Sequence, residues 1–233
     1  MTVPLIQFRG VRKAFGPKVI YSHLDLDIER GRALTILGGS GVGKSVMLKM
    51  LIGLLVPDRG SVIFDGREVT KMNGAELSIL RQRIAMLFQG GALFDSLDVR
   101  ANVAYGLDEH FHYKLTRDEI DERVAWALEL VGLPGIQGMW PADLSGGMKK
   151  RVALARAIAV RPEVVLYDEP TTGLDPINTA RVNHLIMGLQ RKLNITSVIV
   201  THDMKSAFTI SDDMAMVHDG RIVCAGRPED FRT

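Results

Sequence analysis

The hydrophobic pattern near the start of the chain has the short period of β-strands. Apolar and polar residues alternate over residues 5–28, and Gly16-Pro17 interrupts the alternation. We therefore expect two antiparallel strands joined by a tight turn. Continuous apolar or β-branched runs of strand length come later, and each indicates a buried strand. These runs are residues 33–37, 84–88, 164–167 and 196–200.

The middle of the chain has helical spacing instead. Thr116 and Glu119 match a capping box that precedes apolar residues at helical intervals. Residues 92–115, which are rich in aromatic side chains, are expected to be loop-rich, and His110 and His112 indicate a surface segment in preference to a metal site. We predict one domain, residues 1–233, with a sheet-based core (about 1–88 and 161–233) and an inserted helical lobe (about 89–160).

Composition limits the classes of function that need to be considered. The chain has 233 residues, 46% of them hydrophobic, which suits one large α/β domain. Its 29 basic and 27 acidic residues give a net charge of +2, which does not indicate a nucleic-acid partner. No signal-peptide pattern is present, and the longest apolar run, residues 50–56, is much shorter than the roughly 20 residues of a spanning helix. We therefore expect any membrane role to be peripheral or through a partner.

The single cysteine, Cys224, excludes an internal disulfide and fits a reducing compartment. We expect it to be a small buried residue near the C-terminus.

The strongest chemical signal is the sequence G-x-x-x-x-G-K-S at residues 38–45, between an apolar run and a helix-like segment. Glycines allow positive φ, and a helix start offers unpaired N–H groups to phosphate oxygens. Lys44 can reach the β- and γ-phosphates, and the Ser45 hydroxyl can complete a Mg²⁺ shell. A chance glycine-rich turn is the alternative, but the flanking elements argue against it. The predicted nucleotide-binding residues here are Gly38, Gly39, Ser40, Gly41, Val42, Gly43, Lys44 and Ser45.

Polar side chains follow three of the predicted strands, where open α/β sheets bind ligands. Gln89 could contact Mg²⁺ or the attacking water. Asp168 could hold Mg²⁺, and Glu169, which should point elsewhere because strand side chains alternate, could polarise the water. His202 follows the run 196–200, after Thr201. Each is ambiguous alone, because a strand-end glutamine is more often a surface residue and a lone histidine is usually structural.

Three weaker signals complete the pattern. Phe15, just before the Gly16-Pro17 turn, could stack on an adenine ring, although such an aromatic is more often a packing residue. Asp175 lies in a turn that leads into a helix. Ser145, Gly146 and Gly147 begin a second helix and could bind an anion. The plainer interpretation of that helix is a capped one with a solvated basic face, formed by Lys149, Lys150 and Arg151.

The order and spacing of these features resemble those of the ATP-binding-cassette (ABC) ATPases, from Phe15 to about Gly226. The resemblance implies an α/β fold of the P-loop NTPase, ABC-ATPase type. Such a fold has a RecA-like parallel-sheet core, an N-terminal antiparallel β-subdomain and an inserted α-helical subdomain. It also implies ATP hydrolysis with Mg²⁺ in a head-to-tail homodimer.

The resemblance also assigns roles to individual residues. Phe15 resembles the adenine-stacking aromatic, residues 38–45 the Walker A cradle, and Asp175 the D-loop aspartate. The implied catalytic residues are Lys44, Gln89 (Q-loop), Glu169 (base) and His202 (switch). The implied metal ligands are Ser45, Gln89 and Asp168 (Walker B). Ser145, Gly146 and Gly147 resemble the signature that binds ATP held by the other subunit.

One residue departs from the family pattern. The signature usually ends in glutamine, and here Met148 stands in its place. Because Ser145 and the two glycines supply the groups that face phosphate, we expect activity to survive.

Three stretches are similar to the bacterial Mla-type phospholipid-transport ATPases, also described as organic-solvent-resistance or toluene-tolerance ATPases: residues 87–97, 102–105 and 144–151. This resemblance implies a place on the cytoplasmic face of the inner membrane. The implied partners are a permease docking near the segment after Gln89, a lipid-binding substrate protein and a small accessory subunit.

Two alternatives stay open. One is the ATPase of an importer for amino acids or similar solutes. The other is a soluble ABC ATPase that acts on DNA or ribosomes, although those proteins usually carry two cassettes or a long coiled-coil insertion.

Overall fold

The computed structural model describes residues 3–111 and 113–231, so the predicted surface position of His112 lies outside the described residues. The strands are β1 (Ile6–Phe15), β2 (Lys18–Ile28), β3 (Ala33–Leu37), β4 (Arg59–Phe64), β5 (Arg67–Glu68), β6 (Ile84–Leu87), β7 (Val164–Asp168), β8 (Thr196–Thr201), β9 (Asp213–His218) and β10 (Arg221–Gly226). The α-helices are α1 (Lys44–Leu51), α2 (Gly74–Arg83), α3 (Val99–Phe111), α4 (Arg117–Leu130), α5 (Gly146–Ala159), α6 (Pro176–Leu193) and α7 (Met204–Ile210). Among these described helices none is long and apolar enough to cross a membrane.

The first strands form an antiparallel sheet in the order β2-β1-β4-β5. β1 and β2 make the predicted hairpin, closed by the pairing of Phe15 with Lys18 across Gly16-Pro17. Alternation places Ile6 and Phe8 on the buried side of β1. The N-terminal antiparallel sheet predicted from the alternating pattern is therefore confirmed.

The second sheet has the order β10-β9-β3-β8-β7-β6. β3 pairs in parallel with β8 and β9, and β7 pairs in parallel with β8 and β6. Every residue of β3, β7 and β8 is buried, as expected for parallel strands covered on both faces. The carboxyl ends of β3, β6, β7 and β8 consequently lie along one edge.

Two apolar clusters cover the two faces of the parallel sheet. Along β8, Val198 and Val200 face the cluster that contains α1 and the antiparallel sheet. Ile199 faces the other cluster, which contains α3, α4, α5 and α6. The period-two alternation of a strand therefore distributes neighbouring residues between the two cores.

The expectation that residues 92–115 are loop-rich is wrong, because α3 covers most of this segment. Val99, Val103 and Leu107 recur every four residues and are fully buried, which is the helical signal in this stretch. Asn102, also fully buried, accepts a hydrogen bond from the Phe94 N–H and donates to the carbonyls of Phe94, Leu97 and Asp98. This side chain therefore ties the turn before α3 to the helix.

Cys224 is exposed, which contradicts the expected burial. It lies on β10, an edge strand that pairs with β9 on one side.

An ion-pair network joins the two sheets at the amino ends of the parallel strands. Arg83 donates to Asp65 at 2.5 Å and to Glu163 at 2.6 Å, and Arg30 donates to the same two carboxylates at 2.8 Å each. The hydrogen bonds from Arg83, together with those from Arg30, hold the pKa of both carboxyls below their usual values. The network therefore stabilises the fold at the end of the sheet opposite to the ends of β3, β6, β7 and β8.

Replacing Glu163 by Gln should lower the melting temperature by about 2–4 °C near pH 7, because a partly exposed ion pair contributes about 1 kcal/mol. The pKa of Glu163 is lowered in the folded state, so its stabilisation is present above the usual value of 4.5 and is lost as pH falls through the folded value. In circular-dichroism melts the difference from wild type should shrink as the pH falls below 4.5. Glu129→Gln, at an exposed position without a side-chain partner among the described residues, is the control. A difference that does not change with pH would mean that the substitution of Glu163 perturbs packing and not charge.

Candidate active site

The loop after β3 is held against the antiparallel sheet. Gly43 has φ +106°, and a Cβ there would lie 2.3 Å from Cγ2 of Ile20, so only glycine fits. The Tyr21 hydroxyl donates to the Gly43 carbonyl at 2.8 Å. Helix α1 begins at Lys44, and its first turn leaves backbone N–H groups without intrahelical partners. The loop and helix start therefore offer the unpaired N–H groups that the predicted anion cradle requires.

Lys44 lies buried between this loop and the end of β7. Its ammonium donates to the carbonyl oxygens of Gly38 at 2.7 Å and Gly39 at 3.0 Å. It also lies 3.5 Å from Oε1 of Glu169. The cation is thus placed where it neutralises a strand-end carboxylate.

Ser45 and Asp168 are in direct contact, since the Ser45 hydroxyl donates to Oδ1 of Asp168 at 2.9 Å. Burial raises the pKa of Asp168 above its usual 3.8, and the Ser45 hydrogen bond partly offsets this. A hydroxyl beside a carboxylate fits Mg²⁺, which prefers oxygen ligands and keeps its remaining positions for water and phosphate. The described residues contain no cluster of three or more His, Cys, Asp or Glu that would hold a metal alone.

Glu169 follows β7 in an unexpected conformation. Its φ of +50° is the left-handed region, which costs a non-glycine residue roughly 1 kcal/mol. Oε2 lies 3.0 Å from His202 Nδ1 and accepts hydrogen bonds from the hydroxyls of Thr172 and Thr201 at 3.2 and 3.3 Å. Burial opposes ionisation, but the His202 and Lys44 contacts outweigh it and lower the pKa of Glu169. The carboxylate is therefore ionised and held in position.

A pocket of about 460 Å³ brings most of the predicted residues together. Gln89 after β6, Glu169 after β7 and His202 after β8 all face the loop that follows β3. Gly38, Val42 and Asp168 belong to the same loop and strand end without lining the cavity. The lining residues are Ile20, Gly39, Ser40, Gly41, Gly43, Lys44, Ser45, Val46, Gln89, Glu169 and His202.

Five further predicted residues lie outside this pocket. Phe15 is half-exposed, with its ring 5.3 Å from the Lys13 ammonium. Ser145, with Gly146 and Gly147, instead begins α5, and its hydroxyl accepts from the Met148 N–H at 3.3 Å. Asp175 caps α6. A single chain therefore does not assemble the complete predicted set.

Gly147 and Asp175 are linked through Asn178. A Cβ on Gly147 would lie 2.9 Å from Oδ1 of Asn178, so a larger residue would require the Asn178 side chain to shift. Asn178 Nδ2 donates to Oδ2 of Asp175 at 2.5 Å. Asn178, a residue that the sequence analysis did not select, therefore lies between the start of α5 and the start of α6.

The expected solvated basic face of α5 is wrong for Lys150, which is only 7% exposed. Its ammonium donates to the main-chain carbonyl of Gln89. Arg151 donates to the carbonyls of Val131 and Gly132. The sequence contains a signal for this burial: Lys150 precedes the buried Leu154 by four residues and so lies on the apolar stripe of α5.

Comparison of the sequence with known proteins agrees with this geometry. A family model described as ABC transporter matches residues 21–172. The intermembrane phospholipid transport system ATP-binding protein MlaF of Haemophilus influenzae is 39% identical over 231 residues, which are 99% of this chain and 87% of that protein. Mkl of Mycobacterium leprae, described as a probable ribonucleotide transport ATP-binding protein, is 42% identical over 228 residues, which are 98% of this chain and 65% of that protein.

Solved structures extend the similarity to the fold. cbiO1 from Clostridium perfringens, part of the ABC transporter complex cbiONQ, has a TM-score of 0.90 at 31% identity, covering 98% of this chain and 90% of that one. The dimeric ABC transporter cassette MJ0796 has a TM-score of 0.87 at 29% identity, covering 96% and 98%.

The predicted P-loop fold of the ABC-ATPase type is thus confirmed by both comparisons. Together with the glycine-rich loop and the converging strand ends, they show that this chain belongs to the ATP-binding subunits of ABC transporters and is an ATPase.

Proposed function

We propose that this chain is the ATP-hydrolysing subunit of a transporter that moves phospholipid between the inner and outer membranes of a bacterium. The observation that supports phospholipid as the substrate is the 39% identity to MlaF over 99% of this chain. Mkl, at 42% identity, favours a second candidate, the ATPase of a small-solute transporter, because its description is ribonucleotide transport. The cytoplasmic face of the inner membrane is the proposed location, reached through the permease.

The proposed nucleotide site uses the loop after β3. Its N–H groups and Lys44 bind the phosphates of ATP, for which Lys44 exchanges its contacts with Gly38 and Gly39. Ser45, Asp168 and Gln89 would hold Mg²⁺, which when bound neutralises charge on the phosphates. The 2.9 Å contact between Ser45 and Asp168 supports this assignment.

Glu169 is the proposed general base. It accepts the proton of the attacking water, a role that requires an ionised carboxylate inside the pocket. His202, 3.0 Å from its Oε2, orients the carboxylate and lies beside the γ-phosphate. Phe15 stacks on the adenine ring from its half-exposed position.

The residues outside the pocket are proposed to complete it in a head-to-tail homodimer. Ser145, Gly146 and Gly147 bind the nucleotide held by a second copy, and Asp175 lies at the same interface. The helical lobe, about residues 89–160, moves as a subdomain when the dimer closes. Loss of the γ-phosphate weakens the closed dimer, which is a shift of population driven by ligand. The dimeric cassette of MJ0796 supports this arrangement.

The permease is proposed to dock in a groove of about 420 Å³ beside the segment after Gln89. Three aromatic side chains there, Phe88, Phe94 and Tyr105, are 39–41% exposed, and the rings of Phe94 and Tyr105 lie 4.6 Å apart. Arg81 and Arg156 add positive charge to the lining. A lipid-binding substrate protein and a small accessory subunit are the further proposed partners, with no nucleic acid.

Purification of the tagged chain from its native membranes, with identification of the bound permease by mass spectrometry, tests the substrate class. Phospholipid transport by vesicles reconstituted with that permease would support the proposal. A permease that carries amino acids or nucleotides would overturn it.

Glu169→Gln should lower kcat at least about a hundredfold, because the base can no longer accept a proton. It should still bind ATP and accumulate as a dimer, seen by size-exclusion chromatography with ATP. Lys44→Ala, the matched comparison, should lose hydrolysis without forming that dimer. Near wild-type hydrolysis by Glu169→Gln would exclude the residue as the base.

Met148→Gln should change kcat less than about fivefold, because one neutral hydrogen bond contributes only about 1 kcal/mol. The capping bond uses the main-chain N–H of Met148, and its half-buried side chain packs against the helical cluster. Met148→Leu, which keeps the apolar contact, is the control in the same ATPase assay. Complete loss in Met148→Gln would mean that the signature depends on that packing.

Tyr105→Glu should abolish co-purification of the permease while leaving ATP hydrolysis by the isolated chain within about twofold. The charge enters an aromatic groove and does not touch the nucleotide pocket. Val223→Glu, on the exposed side of β10, is the control for surface charge. Retention of the permease by Tyr105→Glu would place the docking surface elsewhere.

A further inference from the structure

Lys150 is a buried cation next to the active site. It lies one turn into α5 on the apolar stripe, where an ammonium without a partner would cost several kcal/mol. Burial lowers the pKa of Lys150, while the charges of Asp168 and Glu169 act in the opposite direction. The side chain therefore extends into the field of the strand-end carboxylates.

The partner of this ammonium is the main-chain carbonyl of Gln89, so this bond does not use the Gln89 side-chain amide. That side chain is exposed and lines the pocket with Glu169 and His202. Two glycines follow, and Gly91 has φ +77°, so the segment has little intrinsic stiffness. Gln89 is the first residue of this segment, so a hydrogen bond to its main-chain carbonyl constrains the direction of its side-chain amide.

The same helix holds the other end of the segment. Arg156 donates to the carbonyls of Gly91 and Ala92 at 2.8 Å each. Six residues of helix, about 9 Å, separate Lys150 from Arg156, so the two cations hold the segment at two points of one rigid element. Because α5 begins at Gly146, Gln89 and the signature are carried by the same helix.

We propose that Lys150 is a positioning residue of the ATPase: by holding the Gln89 carbonyl, it fixes where the Gln89 amide lies in the nucleotide pocket. The proposal rests on the metal or water contact proposed above for Gln89. Any rotation of α5 that brings Ser145 towards a second copy consequently moves Gln89 as well.

Lys150→Met removes the donor and keeps the apolar stem of the side chain. It should lower kcat about tenfold and raise the Mg²⁺ concentration needed for half-maximal ATPase activity, while the Kd for a fluorescent ATP analogue stays within about twofold. Lys150→Arg, which keeps the charge and its donors, should recover most of the activity. Lys149→Met removes the same charge one residue earlier, where the side chain has no bonded partner among the described residues, and should behave as wild type.

A double-mutant cycle with Gln89→Ala separates positioning from structure. If Lys150 acts through Gln89, the double variant should be no slower than Gln89→Ala alone. If Lys150→Met does not fold, Lys150→Gln, whose amide is one atom shorter and falls short of the carbonyl, takes its place in the cycle.

Each outcome of the cycle has one meaning. Additive losses of kcat in the double variant would overturn the role of Lys150 but not that of Gln89. An unchanged kcat in Lys150→Met, when Gln89→Ala is impaired, would have the same meaning. An unimpaired Gln89→Ala would overturn the role proposed for Gln89, and with it this inference.

Discussion

The hydrogen bond between Ser45 and Asp168 connects two segments that the sheet keeps apart. β8 lies between β3 and β7, so with a strand spacing of about 4.8 Å the two strand ends are roughly 10 Å from each other. The first turn of α1 crosses this gap. Once Ser45 meets Asp168, the neighbouring residues Lys44 and Glu169 are also brought together, 3.5 Å apart. The chemistry of the site depends on this one closure.

Helix α5 extends that organisation to the helical side of the molecule. It carries four basic side chains, and three of them donate to main-chain carbonyls of other segments: Lys150, Arg151 and Arg156. Bonds to the main chain are insensitive to which side chains those segments carry. Helix α5 therefore holds the loop after β6 through contacts that do not depend on the side chains of that loop.

Much of the fold and site could be predicted because the informative residues are neighbours in sequence. The apolar runs mark β3, β6, β7 and β8, and three of these runs are followed by Gln89, Asp168 and His202. The edge of the sheet where these side chains lie can therefore be predicted from the sequence. Strand alternation separates Glu169, which lines the pocket, from Asp168, which does not, but it does not predict the φ of +50° at Glu169. The prediction from sequence was wrong where distant packing decides. The burial of Lys150, for example, depends on a loop far away in sequence.

The close approach of Gly147 and Asn178 also couples substitutions at the two positions. A Cβ at 147 would lie 2.9 Å from Oδ1 of Asn178, so the Asn178 amide, which donates to Asp175, would have to shift. A smaller residue at 178 would leave room at 147 but would remove the side-chain donor to Asp175 at the start of α6. A substitution at either position therefore affects the start of both helices.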